Sequence, residues 1–368
     1  MNSIAPPIES IVDFVVRKTN ERLLRFFDDL EREVEAEAPL AKPLVDVSRD
    51  FTLRGGKRLR AALALIGYWI KVWGSGDINA VLDIMAAIEL LQSYLLIHDD
   101  IMDRDEMRRG GPTAHVMYRH HCVERGWSDC EHYGISQAIT AGDMLEASAV
   151  GLLSSPHLPP SVVPQLIATY SRGLRKVAYG QYLDVLLSKL RIEEVRESDV
   201  LLVYKLKTSS YTVELPLHLG AIASGLHSER LLRELSTYAI PAGIAFQVRD
   251  DIIGLYGDPS VTGKPAGSDV KSKKKTLLVV KALELASPDE AKVIKMVYNE
   301  LKEREITDEH VEQVKSIVKT SGTLDYCERL IKSHVEAALK ALEDSVEIGP
   351  VARDVLKTLT YKLSYREK

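Results

Sequence analysis

The chain has 368 residues, enough for one large core or two domains of ordinary size, and its 45% hydrophobic and 27% charged content is that of a globular protein. A net charge of −5, with few aromatics and no alternating basic and aromatic stripe, argues against nucleic acid or an anionic membrane as a partner. Three cysteines make no disulfide framework, residues 1–17 lack the layout of a signal peptide, and no apolar stretch reads as membrane-spanning, so a cytoplasmic protein without a transmembrane segment is expected.

Apolar residues recur with a helical period almost throughout, and strand-like alternation is scarce. The pattern predicts helices over 9–35, 61–72, 78–97, 137–153, 163–190, 199–223 and 229–255, with more from 276 to the end. Breaks fall at Gly74-Ser75-Gly76, at the Pro156, Pro159 and Pro160 segment, and at 257–267. With no fixed-period repeat, the economical architecture is all-α, a large helical bundle forming a single domain over 1–368. Cys122 and Cys130 are flanked by His120, His121 and His132, but the spacing fits no standard zinc pattern. A local disulfide suits a hyperthermophile source, and a polar loop between helices is the preferred reading.

Two aspartate pairs carry the chemistry: Asp99-Asp100-Ile101-Met102-Asp103, and Asp250-Asp251-Ile252-Ile253-Gly254. Each ends an apolar helical run. Asp99 and Asp103, four apart, share a helix face, and their repulsion costs a few tenths of a kcal/mol. Such a pair is ordinarily a solvated face, but a divalent cation reverses the sign, and oxygen-only ligands favour Mg²⁺ on a diphosphate. The surroundings support the second reading. Arg54-Gly55-Gly56-Lys57-Arg58-Leu59-Arg60 precedes the first cluster and Arg108-Arg109-Gly110-Gly111 follows it, and arginine forks match phosphate oxygens. After the second cluster, a segment with Gly257, Gly263 and Gly267 leads into Lys273-Lys274-Lys275, a solvated charge run or a basic flap over an anion.

In this order of motifs the chain resembles the trans-isoprenyl diphosphate synthases, the short-chain polyprenyl elongating enzymes, from about Leu53 to the C-terminus. The resemblance implies the type I isoprenoid synthase bundle around a central cavity. It implies three Mg²⁺ ions held by Asp99, Asp103 and Asp250, with Asp100 and Asp251 also counted among the metal residues. Arg108, Lys207, Lys264 and Lys274 would add charge at the allylic diphosphate, and Lys207, Thr208 and Gln247 would supply dipoles to the carbocation left when diphosphate departs. Gly56, Lys57, Arg60, Gln92 and Arg109 would take isopentenyl diphosphate, and Arg366 and Lys368 close over that site or form a frayed basic tail. Gly142-Asp143 and Gly180-Gln181-Tyr182-Leu183-Asp184 resemble supporting motifs of the family. A homodimer is implied as well.

The departures are local. Gly254 stands where many members carry a third aspartate, Gln92 where bacterial-type members carry His, and Lys273 where a Gly is usual, so the three lysines are not ranked. The cavity floor by resemblance is Tyr94, with Leu95 beside it and Leu91 one turn further on; a bulky Tyr94 implies geranylgeranyl diphosphate (C20), with farnesyl diphosphate (C15) as main or co-product. A related class I terpene synthase needs no Gly-Gly-Lys-Arg-x-Arg site, and a non-catalytic subunit of a prenyl synthase would not keep five aspartates.

Overall fold

The computed structural model describes residues 6–257 and 267–366, and these are helical almost throughout. The chain folds as two compact units, one of residues up to Thr169 with Pro216–His227, the other of Tyr170–Leu215 with Ser228 onward.

In the first unit, α1 (Ile8–Glu37), α2 (Lys42–Leu53), α3 (Leu59–Tyr68), α4 (Ile78–Asp103), α5 (Ala114–Glu124) and α6 (Cys130–Leu152) pack around α4. Asp77 caps α4 by accepting the Asn79 N–H at 2.9 Å, and α4 ends at Arg104 in the left-handed conformation. Residues 84–93 of α4 are all buried, so the helix is apolar all round. This corrects the reading that no stretch is membrane-length. The 26-residue α4 passes on length and hydropathy, yet 78% of the qualifying window is buried inside the protein, as in a core helix.

Three features of this unit were not legible. Helices α2 and α5 are short, and in α5 Arg119, His120 and His121 interrupt the apolar pattern. Between α4 and α5 lies a two-stranded hairpin, β1 (Met107–Arg108) and β2 (Gly111–Pro112), pairing Met107 with Pro112 and Arg108 with Gly111. Its two-residue turn has positive φ at Arg109 (52°) and Gly110 (74°), as a type I′ turn requires. Cys122 and Cys130 form a disulfide joining α5 to the start of α6, where a polar loop was preferred. Their sequence separation of eight and Cα distance of 5.4 Å suit a bridge.

In the second unit, α7 (Val163–Lys189) contributes its residues from Tyr170 on, and α8 (Glu197–Val203) runs into a π-helical segment, Tyr204–Glu214. The following helix, α9 (Leu215–Ala223), belongs to the first unit from Pro216 on. Helix α10 (Glu229–Tyr256) is capped by Ser228 accepting from Leu231 N–H. Helices Ser268–Lys271, Leu277–Leu285, Pro288–Lys295, Asp308–Thr320, Thr323–Asp344 and Pro350–Ser364 follow in the second unit. Two glycines let the π-helical segment be approached on both sides. A Cβ on Gly180 would lie 2.7 Å from Lys207 N, and one on Gly243 would lie 2.5 Å from Ser209 Cα.

Candidate active site

The last turn of α4 sorts the first aspartate cluster. Asp100 is fully buried and accepts from Arg108 Nε at 2.7 Å, while Arg108 also donates to Asp105 at 3.1 Å. Burial raises Asp100 to about 6 against the downward pull of Arg108. Asp99 is half-buried and Asp103 exposed, so these two carboxylates lie toward solvent. The helical rotation explains the split, since Asp100 is turned about 100° from Asp99 while Asp103 returns to its face.

The upstream glycine loop folds against the hairpin turn. Gly55 (φ 97°), Gly56 (φ 130°) and Arg58 (φ 46°) all have positive φ. Arg58 tolerates this because its buried guanidinium donates to Glu89 at 2.7 Å, Asn20 at 3.0 Å and the Thr52 carbonyl at 2.9 Å. It therefore fixes the loop. A Cβ on Gly56 would lie 3.3 Å from an Arg109 guanidinium nitrogen, which places this backbone against Arg109. Arg109 is exposed as a residue, but the protein packed around its guanidinium, then the nearby Arg58, Arg60 and Arg108, lower it below the ordinary arginine value despite Glu89. Crowded cations of this kind are relieved by an anion. Lys57 is exposed, Arg60 half-buried and Gln92 7% exposed.

Further up α4, Leu91 is fully buried, and Tyr94 and Leu95 are half-buried. Tyr94 meets His98 edge-on at 4.7 Å, and both pack on Gly142 of α6, where a Cβ would collide with the His98 ring.

In the second unit, Lys207 Nζ donates to Asp184 at 2.7 Å. Burial alone would raise Asp184, yet Lys274 and Lys207 together hold it below the ordinary aspartate value. Lys207 and Lys274 thus both act on Asp184, and ammonium groups of this kind are suited to an anion. The lysine run is thereby ordered. Lys273 donates to the Leu301 carbonyl, Lys275 is buried with its Nζ 2.9 Å from the Ser188 carbonyl, and Lys274 is the member that acts on Asp184 and Asp251.

The second aspartate pair splits as the first does. Asp251 is 4% exposed, accepts from Tyr204 Oη and from Gln247 Nε2 (2.9 Å), and is raised by burial to about 6 against Lys274. Asp250 is half-buried and paired with Arg366, whose guanidinium carbon lies 4.7 Å from the Phe246 ring centroid. Thr208 Oγ1 donates to Gln247 Oε1 at 2.8 Å.

A polyprenyl synthetase family model matches residues 41–319, which is more than half of the chain. The chain belongs to the polyprenyl synthetase family. Among curated proteins it is 33% identical to the geranylfarnesyl diphosphate synthase of Aeropyrum pernix, covering 83% of this chain and 88% of that one. It is 32% identical to the geranylgeranyl diphosphate synthase of Sulfolobus acidocaldarius, covering 86% and 88%. Among solved structures, a geranylgeranyl pyrophosphate synthase of Corynebacterium glutamicum, complexed with isoprenyl diphosphate and magnesium, has a TM-score of 0.87 at 33% identity, covering 96% of this chain and 99% of that chain. The all-α isoprenoid synthase fold and the prenyltransferase class expected from the motifs are therefore those of this polyprenyl synthetase.

The acidic residues fit an oxygen-seeking cation unequally. Among the described residues no three His, Cys, Asp or Glu side chains gather into a group that could hold a cation on their own, so a cation here would need further oxygen ligands. Asp99, Asp103 and Asp250 suit the role of protein ligands. Asp100 and Asp251 do not, because both are buried and engaged by Arg108 and by Tyr204 with Gln247. Arg108 is likewise held by Asp100 and Asp105. Lys264 and Lys368 lie outside the described residues. Sequence reasoning missed Asp269, whose Oδ2 would lie 3.3 Å from a Cβ on Gly254, and Tyr204, which no motif marks. Asp269 follows Gly267 in the glycine-rich segment, and that position was its only signal.

Proposed function

We propose that this polyprenyl synthetase condenses isopentenyl diphosphate head to tail with C5–C15 allylic diphosphates, giving geranylgeranyl diphosphate with farnesyl diphosphate as co-product. The observation that carries the reading is the last turn of α4, where Asp100 is spent on Arg108 and Asp99 and Asp103 lie on the solvent side. Asp99, Asp103 and Asp250 would hold Mg²⁺, three ions by family resemblance. When bound, Mg²⁺ supplies positive charge to the departing diphosphate.

In this reading, Lys207 and Lys274 attract the allylic diphosphate, and the Thr208 hydroxyl and Gln247 carbonyl turn their negative ends to the allylic cation. The double bond of isopentenyl diphosphate attacks C1 of that cation, and proton loss to the departed diphosphate completes a chain five carbons longer. Lys57, Arg60 and Arg109, with the Gly56 backbone and Gln92, hold the diphosphate of isopentenyl diphosphate, where the crowding at Arg109 favours an anion. Tyr94, with Leu91 and Leu95, limits product length. A homodimer and a cytoplasmic location belong to the same proposal, and sedimentation of the purified protein checks the first.

Incubation with Mg²⁺, labelled isopentenyl diphosphate and each allylic primer, followed by sizing of the products, tests the reading. C20 and C15 prenyl diphosphates are expected. Cyclised hydrocarbon, or no consumption of isopentenyl diphosphate, would overturn it.

A further inference from the structure

The second unit contains a hydrogen-bond chain, buried at Tyr204 and Asp251 and half-buried at Gln247 and Thr208, whose Tyr204 link neither aspartate motif marks. The Leu277 N–H donates to Tyr204 Oη at 2.9 Å. With that lone pair occupied, the Tyr204 proton is delivered to Asp251 Oδ2. The other Asp251 oxygen receives the Gln247 amide at 2.9 Å, and the Gln247 carbonyl receives the Thr208 hydroxyl at 2.8 Å. Tyr204 is 5% exposed and Asp251 4%.

The order of donors gives this chain a direction. A carboxylate only accepts, so the Gln247 end facing Asp251 must be the NH₂ group, and its carbonyl must face Thr208. That carbonyl takes the Thr208 proton, leaving the Thr208 lone pairs on the outer side. Every donor points inward to Asp251, and every negative end points outward along the chain. Thr208 lies on the π-helical segment and Gln247 on α10, so side-chain bonds lock the amide between two helices. Pre-oriented dipoles of this kind cost no reorganisation when charge develops.

We propose that Tyr204 is a positioning residue for prenyl transfer: through Asp251 it fixes the Gln247 amide and the Thr208 hydroxyl with their negative ends toward the allylic cation. Asp251 is then the acceptor that anchors this chain, and Asp250, paired with Arg366, is the carboxylate of the pair that lies outside it. This rests on the proposed reaction, since it needs an allylic cation to act upon.

The test is Tyr204→Phe, which keeps the ring and deletes the donor. The expected result is a fall in kcat of about tenfold, the loss of one oriented interaction worth roughly 1.4 kcal/mol, with KM for both diphosphates within twofold of the unaltered enzyme. The rate ratio between a normal allylic primer and one carrying fluorine near C1 should rise at least threefold, because a poorly stabilised cation is more sensitive to electron withdrawal. A change in KM alone, or an unchanged fluorine ratio, overturns the proposal. The unaltered chain gives a second reading that requires no variant to fold. With ¹⁵N-glutamine labelling, the Gln247 side-chain amide should be protected from solvent exchange, and exchange within the dead time would show that the chain of bonds does not exist. An enzyme that still elongates prenyl chains while failing these tests loses only the role of Tyr204. A protein that consumes no isopentenyl diphosphate loses the parent reading, whatever the amide does.

Discussion

Single residues in this protein bear charge in two different ways. Arg366 sits on Asp250, with its guanidinium over the Phe246 ring and its chain end held by Arg249 Nε donating to the Ser364 carbonyl at 2.8 Å. A cation on that carboxylate competes with any other cation. Arg366→Ala should therefore tighten Mg²⁺ binding about fivefold in calorimetry without substrate, since a partly exposed pair is worth up to about 1 kcal/mol. Equal or weaker binding would show that Arg366 does not compete. Lys275 shows the opposite case, because burial lowers its ammonium from 10.5 to about 8. Between those two values the unfolded chain binds the proton more tightly, so stability rises with pH. The contribution is complete above 10.5 and lost as the pH falls through about 8. Urea midpoints should climb from pH 7 to 9.5 in the unaltered protein and stay flatter in Lys275→Met. That variant also leaves the Ser188 carbonyl unpaired, so the pH slope, and not the midpoint at one pH, is the decisive reading.

At the scale of elements, close approach decides geometry. Helix α10 can lie against the π-helical segment because residue 243 has no side chain; a Cβ there would come within 2.6 Å of the Ser209 side chain. Gly243→Ala should cost about 1–3 kcal/mol in a urea melt, the usual penalty of overpacking. It should also lower kcat, since Gln247 rides one turn further along α10. A neutral melt would mean that the two helices separate freely. Helix α4 makes the corresponding case for product length. Tyr94 is packed edge-on against His98 beside Gly142, so the ring is held in place. Tyr94→Ala should shift the product distribution beyond C20, read by chromatography of the dephosphorylated alcohols. An unchanged profile would leave Tyr94 an ordinary core residue.

The same two helices show how much of the molecule was legible. The long helices stood out because their apolar residues recur over many turns: 229–255 marked α10 almost to its end at Tyr256, whereas 78–97 stopped short of the last turns of α4, which runs on to Asp103. The left-handed Arg58 and the Arg109-Gly110 turn depend on tertiary partners such as Glu89 and the paired strand, which local pattern does not encode. The aspartate motifs were plain from spacing. Spacing could not say that Asp100 and Asp251 turn inward, because the two members of each pair are identical in sequence and only packing against Arg108 or Tyr204 separates them. The lysine run was ordered for the same reason, by the carbonyls of Leu301 and Ser188, which lie far away in the chain.

For the whole molecule, the proposed reaction asks residues from both compact units to act on one allylic diphosphate. Asp103 belongs to the first unit and Asp250 to the second. A double-mutant cycle addresses that requirement without any structural assumption. Asp103→Asn and Asp250→Asn should each lower kcat by two orders of magnitude or more, an estimate on the order of 3 kcal/mol per lost charge contact. If both carboxylates serve the same leaving group, removing the first already disables the event that the second assists. The double variant should then be only slightly slower than either single one, as for catalytic groups that act as a unit. The Tyr204→Phe variant combined with Asp250→Asn supplies a control, because both changes lie in one unit. Losses that simply multiply for Asp103 and Asp250 would mean that the two carboxylates contribute to separate events, and the common-substrate reading would fall with them.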